Sequence, residues 1–271
     1  KSPTSASRDP LTAIFAERRG KLKTEKSRQE KIKTFLKMRK IILTSLMLCS
    51  AFAFSQEIKF GAKIGLNLSN LRGDYPTGID EHNSKIGFHI GGFAEYEIND
   101  KFTLQPELLF STQGNTYGYK DYYGGGSYYD GADYNLKLNY LNLPVILKYK
   151  VIEKLSIDFG PQIGYLISAK TKIDVIEDSR DSSQNYSVEI DMLNDGTYNV
   201  GGTTIQSKAS ANRLDFSLNI GSSYDITEKI FLQGRYNLGL STVDKNSTNG
   251  SSTNSWNMKN GVFQLSAGYR F

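Results

Sequence analysis

Beyond residue 56, apolar and polar residues alternate with a period of two over most of the chain, and few folds tolerate that pattern. Ile58, Phe60, Ala62, Ile64, Leu66 and Leu68 alternate with Lys59, Gly61, Lys63, Gly65, Asn67 and Ser69. A helix scatters both sets around its axis, whereas a strand points successive side chains to opposite sides and so separates them onto two faces. Ile86, Phe88, Ile90, Gly92, Ala94, Tyr96 and Ile98 stand in the same way against Gly87, His89, Gly91, Phe93, Glu95 and Glu97. Six further segments follow, at about 102–113, 135–150, 155–168, 213–225, 230–241 and 260–271, which makes eight strands. The fourth changes phase near Tyr140-Leu141, which predicts a bulge there.

The connections alternate as regularly as the residues do. Ile98-Asn99-Asp100-Lys101-Phe102, Val151-Ile152-Glu153-Lys154-Leu155 and Ile226-Thr227-Glu228-Lys229-Ile230 share one pattern, in which an acid and a lysine sit between apolar residues. Each reads as a tight antiparallel turn. Long polar segments at about 70–85, 114–134, 169–212 and 242–259 lie between them. Short and long connections therefore fall at opposite ends.

Alternation alone leaves the direction of the apolar face open, since a soluble lipocalin-like barrel alternates too, with that face inward. Three features favour lipid outside. The polar face carries Lys59, Lys63, Glu95, Glu97, Glu107, Lys148, Asp158, Asp215, Arg235 and Arg270, whose signs nearly balance and which can pair within a narrow barrel. Aromatic residues recur toward strand ends (Tyr96, Phe102, Tyr149, Tyr165, Tyr224, Tyr236 and Tyr269), as an interfacial girdle requires. The sequence has no apolar run of the ~20 residues a spanning helix needs, so a closed barrel is the form that satisfies every backbone group in lipid. The expected fold is all-β: an eight-stranded antiparallel transmembrane barrel, an up-and-down meander with short periplasmic turns and long extracellular loops.

Net charge points the same way once it is located. The chain carries a net +5, but residues 1–40 hold 13 Lys and Arg against four acids, leaving 20 basic and 24 acidic residues beyond. The basic excess belongs to the front, and nucleic-acid binding loses its support. From Met38, the charged pair Arg39-Lys40, the apolar run Ile41–Phe54 and the small residues Ala53 and Ser55 form the three parts of a secretory signal peptide cut before Gln56. The expected division is 1–37 as an upstream or artefactual basic segment, 38–55 as signal peptide, and 56–271 as the barrel of a cell outer membrane. Cys49, the single cysteine, lies in the leader, so the mature chain has no thiol chemistry.

Tyr140-Leu141-Asn142-Leu143-Pro144, Gly160-Pro161-Gln162-Ile163-Gly164-Tyr165 and Arg235-Tyr236-Asn237-Leu238-Gly239-Leu240 resemble segments of the PorT-like outer-membrane β-barrel family of Bacteroidota, small porin-family barrels. The end, Gly268-Tyr269-Arg270-Phe271, resembles the C-terminal signal that barrel-assembly machinery reads, with Phe271 as its terminal aromatic. The resemblance implies architecture and a monomeric barrel in outer-membrane lipid. It implies no activity, and no residue ties the chain to protein secretion.

Candidate sites are few. His82 and His89 are the only histidines, and no G-x-S-x-G or HExxH motif surrounds a nucleophile or metal. His82 reads as a solvated loop residue and His89 as a hydrogen-bonded interior one, so no catalytic residue is expected. Asp174, Glu177, Asp178, Asp181, Glu189, Asp191 and Asp195 make the third loop acidic but lack calcium-loop spacing. No metal and no cofactor is expected. The inward charges Lys59, Lys63, Glu95, Glu107, Asp158, Asp215, Arg235 and Arg270 either fill the barrel or line a conduit, and eight strands enclose room for little but side chains. The second loop joins Tyr117, Tyr119, Tyr122, Tyr123, Tyr128 and Tyr129 to Gly, Ser and Asp, the mixture that binding loops use. It is a candidate contact for a surface glycan or protein. The expected role is that of a non-enzymatic envelope or surface-contact barrel; a small-solute porin-like channel and an accessory of protein secretion stand as alternatives.

Overall fold

A computed structural model describes residues 58–73, 81–124, 127–176, 185–245, 247–249, 252–254 and 257–271. The expected leader segments 1–37 and 38–55 lie outside the described residues. Among the described residues every regular element is a strand. In chain order these are β1 (Ile58–Arg72), β2 (Glu81–Glu97), β3 (Phe102–Gly124), β4 (Ser127–Ile152) and β5 (Leu155–Ile176). Short strands β6 (Tyr186–Asp191), β7 (Gly196–Val200) and β8 (Thr203–Ser207) follow, and then β9 (Leu214–Asp225) and β10 (Ile230–Gly239). The last are β11 (Ser247–Asn249), β12 (Ser252–Asn254) and β13 (Lys259–Arg270).

The strands β1, β2, β3, β4, β5, β9, β10 and β13 each pair antiparallel with the next, and β13 returns to β1. A closed ring leaves no edge unpaired within the barrel, which is what the hydrocarbon demands of a backbone. The seam is tied at its end, where the Phe271 amide donates to the Phe60 carbonyl at 2.9 Å. The three turns repeat one device. The carbonyls of Lys101, Lys154 and Lys229 each accept an amide from the next hairpin's strand, Lys150, Asp225 and Arg270 respectively, at 2.8 Å. In the first and third turns the side chains of Asn99 and Thr227 cap the following amides.

Phe60, Ile64, Leu66 and Leu68 on β1, Leu141, Leu143, Val145 and Leu147 on β4, and Phe263 and Leu265 on β13 all face outward, each at least 38% exposed. Their inward neighbours Lys63, Asn67, Glu107, Asp158 and Arg235 are at most 4% exposed. A lipocalin-like barrel has the opposite polarity, so this barrel is built for lipid. The outward apolar stretch on each strand has the ~10-residue length that a tilted strand needs to cross hydrocarbon. Near the turns, Phe102 packs on Tyr149 and Tyr269 on Phe271, with ring centroids 5.3 and 6.0 Å apart. Tyr96 and Tyr224 lie at the same level, and Tyr165 and Tyr236 toward the opposite rim.

One expectation needs correction here. The described residues of 114–134 do not form a loop: β3 and β4 keep one register from Phe102↔Tyr149 to Gly124↔Ser127. β5 follows β4 up to Ile176↔Gly131, and β6 adds itself to β5 along Lys170–Val175, so a sheet stands beyond the lipid belt. Polar and aromatic residues there pair as strands because backbone pairing does not need an apolar face once the outer side meets water. β4 meets the bulge expected near Tyr140 in its ladder with β5, whose register shifts between Asn139 and Tyr140. Its even residues, Leu136, Leu138, Tyr140, Asn142, Ile146 and Lys148, stay buried throughout. The extra residue belongs to β5, where Asn139 pairs with Ser168 and Tyr140 with Leu166, leaving Ile167 over. The change of apolar phase at Tyr140 marks where the lipid ends.

Candidate functional site

The lumen is filled in tiers. Nearest the short turns, Glu95 accepts from Arg270 at 2.6 Å and from Lys148 at 2.9 Å, and Arg270 also reaches Asp225 at 2.8 Å. Lys148 and Arg270 both lie over the Phe231 ring, 4.8 and 4.7 Å from its centroid. Phe231 meets Phe93 edge-on at 5.4 Å. Two glycines make room for these rings: a Cβ at Gly61 would stand 2.2 Å from the Phe93 ring, and one at Gly268 2.2 Å from that of Phe231.

In the next tier Glu107 accepts from Lys63 at 2.6 Å and from Arg235 at 2.7 Å, with side-chain exposures of 1% or less on all three. The Gln105 amide adds a third donor at 2.7 Å. The Gln233 carbonyl accepts from Lys63 and Arg235, while its amide donates to Asp158 at 2.5 Å, which Ser223 also reaches. β3 and β10 are four steps apart around a ring of eight, so the Glu107–Arg235 pair joins opposite walls.

Above it, His89 is wholly buried between Asn67 and Ser266, with Nδ1 2.8 Å from Asn67 Oδ1 and Nε2 2.7 Å from Ser266 Oγ. The Asn67 amide nitrogen donates to the Phe88 and Thr112 carbonyls, so its oxygen accepts from Nδ1–H and Ser266 donates to Nε2. Both ring nitrogens are occupied by structural bonds. Higher still, the Asn260 amide donates to the Tyr140 hydroxyl at 3.1 Å and to Asp215 at 3.2 Å, and Ser241 donates to Asp215 at 3.2 Å. This again joins opposite walls, β4 and β13. An apolar cluster of Leu71, Leu136, Leu138, Leu166, Ala169, Leu193, Ala211, Val243 and Met258 caps the column.

Of the expected interior charges, Lys63, Glu95, Glu107, Asp158, Asp215, Arg235 and Arg270 thus lie inside. Lys59 does not: it sits at the rim, 42% exposed, paired with Glu97 at 2.7 Å. Gln105, Gln233, Tyr140 and Asn260 complete the network and were not singled out from the sequence. The signal that finds them is their even spacing from Glu107, Arg235, Lys148 and Arg270 on the inward face.

On the external sheet, Tyr117 stacks on Tyr134 across the β3–β4 ladder with centroids 4.8 Å apart and planes 6° from parallel. Tyr119 meets Tyr134 edge-on at 5.7 Å. The backbones of Tyr122, Tyr123, Tyr128 and Tyr129 pair near the tip of this hairpin, and their side chains lie outside the described residues, as does that of His82. His82 itself is a strand residue of β2 rather than a loop residue.

Glu177, Asp178 and Asp181 lie outside the described residues. The described acids of that segment are individually engaged: Asp174 with Lys172 and Ser187, Glu189 with Lys170, Asp191 with Asn194 and the Leu193 amide, and Asp195 with the Ala209 amide. The bonds from Lys170 and Asn194 hold the carboxyls of Glu189 and Asp191 below the usual range.

The family described as outer membrane protein beta-barrel domain matches residues 54–245, more than half of the chain. Comparison with curated proteins gives no significant match. Among solved structures, the attachment invasion locus protein Ail of Yersinia pestis is 15% identical, with 79% of this chain and 99% of that one covered and a TM-score of 0.40. Neisserial surface protein A is 15% identical over 80% of this chain and 100% of that one, with a TM-score of 0.40. The outer membrane protease OmpT of Escherichia coli is 10% identical over 80% and 99%, with a TM-score of 0.38. Likeness at this level extends to no activity.

Proposed function

The chain belongs to the outer membrane protein beta-barrel domain family, an outer-membrane barrel of eight strands, and from that premise we propose that it is a closed, non-enzymatic surface barrel. In this reading the lumen is a structural column that holds up the external sheet, and the sheet makes the contact. One observation carries it: the hydrogen-bonded pairs Glu107–Arg235 and Tyr140–Asn260 bridge opposite walls at 2.7 and 3.1 Å. A hydrated ion does not pass between atoms at hydrogen-bond distance. Planar-bilayer recording of refolded protein is expected to show no stable unitary conductance. Reproducible unitary steps that vanish on heat denaturation would return the porin-like reading to first place.

The partner in this reading is a surface glycan or protein met by the tyrosine-rich hairpin, whose stacked Tyr117 and Tyr134 offer a rigid amphipathic platform. Kinship with the PorT-like barrels of Bacteroidota, export by a leader at 38–55, and delivery by assembly machinery through Phe271 belong to the same proposal. A role as a secretion accessory is its competitor, and the secreted-protein profile of a deletion strain separates the two.

A further inference from the structure

Among the described residues the outer wall carries a concave feature, rimmed by lysines, that neither the lumen nor the tyrosine hairpin uses. It is a notch of about 250 Å³ lined by Lys85, Ile86, Thr112, Lys137, Asn139 and Lys170, with Ser168 beside them. The ladder places it in rows. Phe110, Leu141 and Tyr165 form the last apolar row of the belt; Thr112, Asn139 and Ser168 form the row above; Lys137 and Lys170 face each other in the row above that. Lys85 reaches the same place from β2, where the β2–β3 register shifts between Ser84 and His89.

Charge at the notch is in excess. Lys85 donates to the Asn135 side-chain oxygen and the Leu136 carbonyl, neither of them charged. Lys137 and Lys170 share Glu189, at 3.8 and 2.6 Å, and Asp191, bonded to Asn194 and the Leu193 amide, stands across the ladder from Lys170, so three lysines meet two carboxylates. Ile86, 74% exposed, flanks the lysines on the lipid side. Three ammonium groups above a row of small polar side chains, two rows above the hydrocarbon, meet a membrane-bound anion at the depth of its headgroup. A free anion has no use for the apolar flank.

We propose that this notch binds a phosphate group of an outer-leaflet lipid, with Lys85, Lys137 and Lys170 as its ligands and the acyl chains lying along Ile86, Leu141 and Tyr165. The inference rests on the outer-membrane location and is independent of what the external sheet contacts.

The test uses the full mature barrel refolded in detergent, with folding checked by heat-modifiable gel migration. Retention of bisphosphorylated lipid A is read by native mass spectrometry. The wild type is expected to retain it, the Lys85→Gln/Lys137→Gln/Lys170→Gln variant to lose about tenfold in affinity, and a Lys150→Gln/Lys154→Gln control at the short-turn end to match wild type. Dephosphorylated lipid A is expected to be retained about tenfold more weakly by the wild type, an arm that holds whether or not the triple variant folds. Equal retention of the two lipids, an unaffected folded triple variant, or an equal loss in the control each overturns the proposal. Displacement of lipid A by millimolar inorganic phosphate overturns it as well, since the site would then be one for the free anion.

Discussion

β4 runs through two environments, and its two halves obey opposite rules with one unbroken strand. Between Leu141 and Tyr149 the outward side is wholly apolar, with Leu141, Leu143, Val145 and Leu147, while the inward side mixes Asn142 and Lys148 with Pro144 and Ile146. Between Leu136 and Tyr140 the apolar side chains point inward, and the outward side holds Lys137 and Asn139. The backbone register against β3 does not change between them. The solvent does. In lipid an apolar side chain gains nothing by turning inward, while a charge gains a partner there. Above the lipid the hydrophobic effect regains its usual direction and drives leucines into a common core.

The sharpest way to break this comparison is to leave a charge without its partner inside the belt. Glu107→Ala strands Lys63 and Arg235 in a closed interior, and a loss of about 3–5 kcal/mol is expected in urea titration of the refolded barrel. A loss under about 1 kcal/mol would mean that water fills the column and that the lumen is no tight network.

Leucine truncation compares the two halves directly. Leu138→Ala, fully buried in the cap, should cost about 3 kcal/mol because its neighbours cannot collapse onto the void. Leu143→Ala, 52% exposed on the lipid face, should cost about 1–2 kcal/mol, since fluid chains close over the gap and only the transfer term is lost. Equal costs would remove the distinction between cap and belt.

Charge insertion on the outer face locates the boundary. Val145→Arg, outward at mid-belt, is expected to cost about 2–4 kcal/mol, and Asp133→Arg, outward on the same strand beyond the belt, less than about 0.5 kcal/mol. The folded fraction on cold gels reports both.

The smallest effect on stability, and the plainest on geometry, comes from reporter cysteines in a Cys49→Ser background. Thr204→Cys on the external β7–β8 hairpin should react with a membrane-impermeant maleimide in intact cells. Asp100→Cys and Glu228→Cys, in the short turns, should react only after the outer membrane is opened. These positions avoid Asn99 and Thr227, whose side chains cap the turns. The reverse labelling pattern would invert the barrel.

Much of this was legible without coordinates. Period-two alternation fixes the strands, and the repeated acid-lysine turns fix the antiparallel meander, because both depend on neighbours close in sequence. The inward facing of Lys63, Glu107 and Arg235 followed from their phase alone. Their partnership did not. Glu107 and Arg235 meet only because closing the ring sets β3 opposite β10, and no local pattern contains the count of strands between them. Lys59 departs from its phase for a related reason: the phase is inward, but the residue stands at the rim, where the lumen opens to water. The segment 114–134 reads as a loop because its polar residues leave no apolar stripe, yet the ladder continues through it on backbone bonds and tyrosine stacking.

What the sequence determined by itself was which residues share a face, since strand geometry assigns that within two residues. What only the tertiary structure decided was which medium each face meets. That depends on ring closure and on the height of the lipid belt, and it is why the leucines at 138 and 143, five residues apart on one strand, do opposite things.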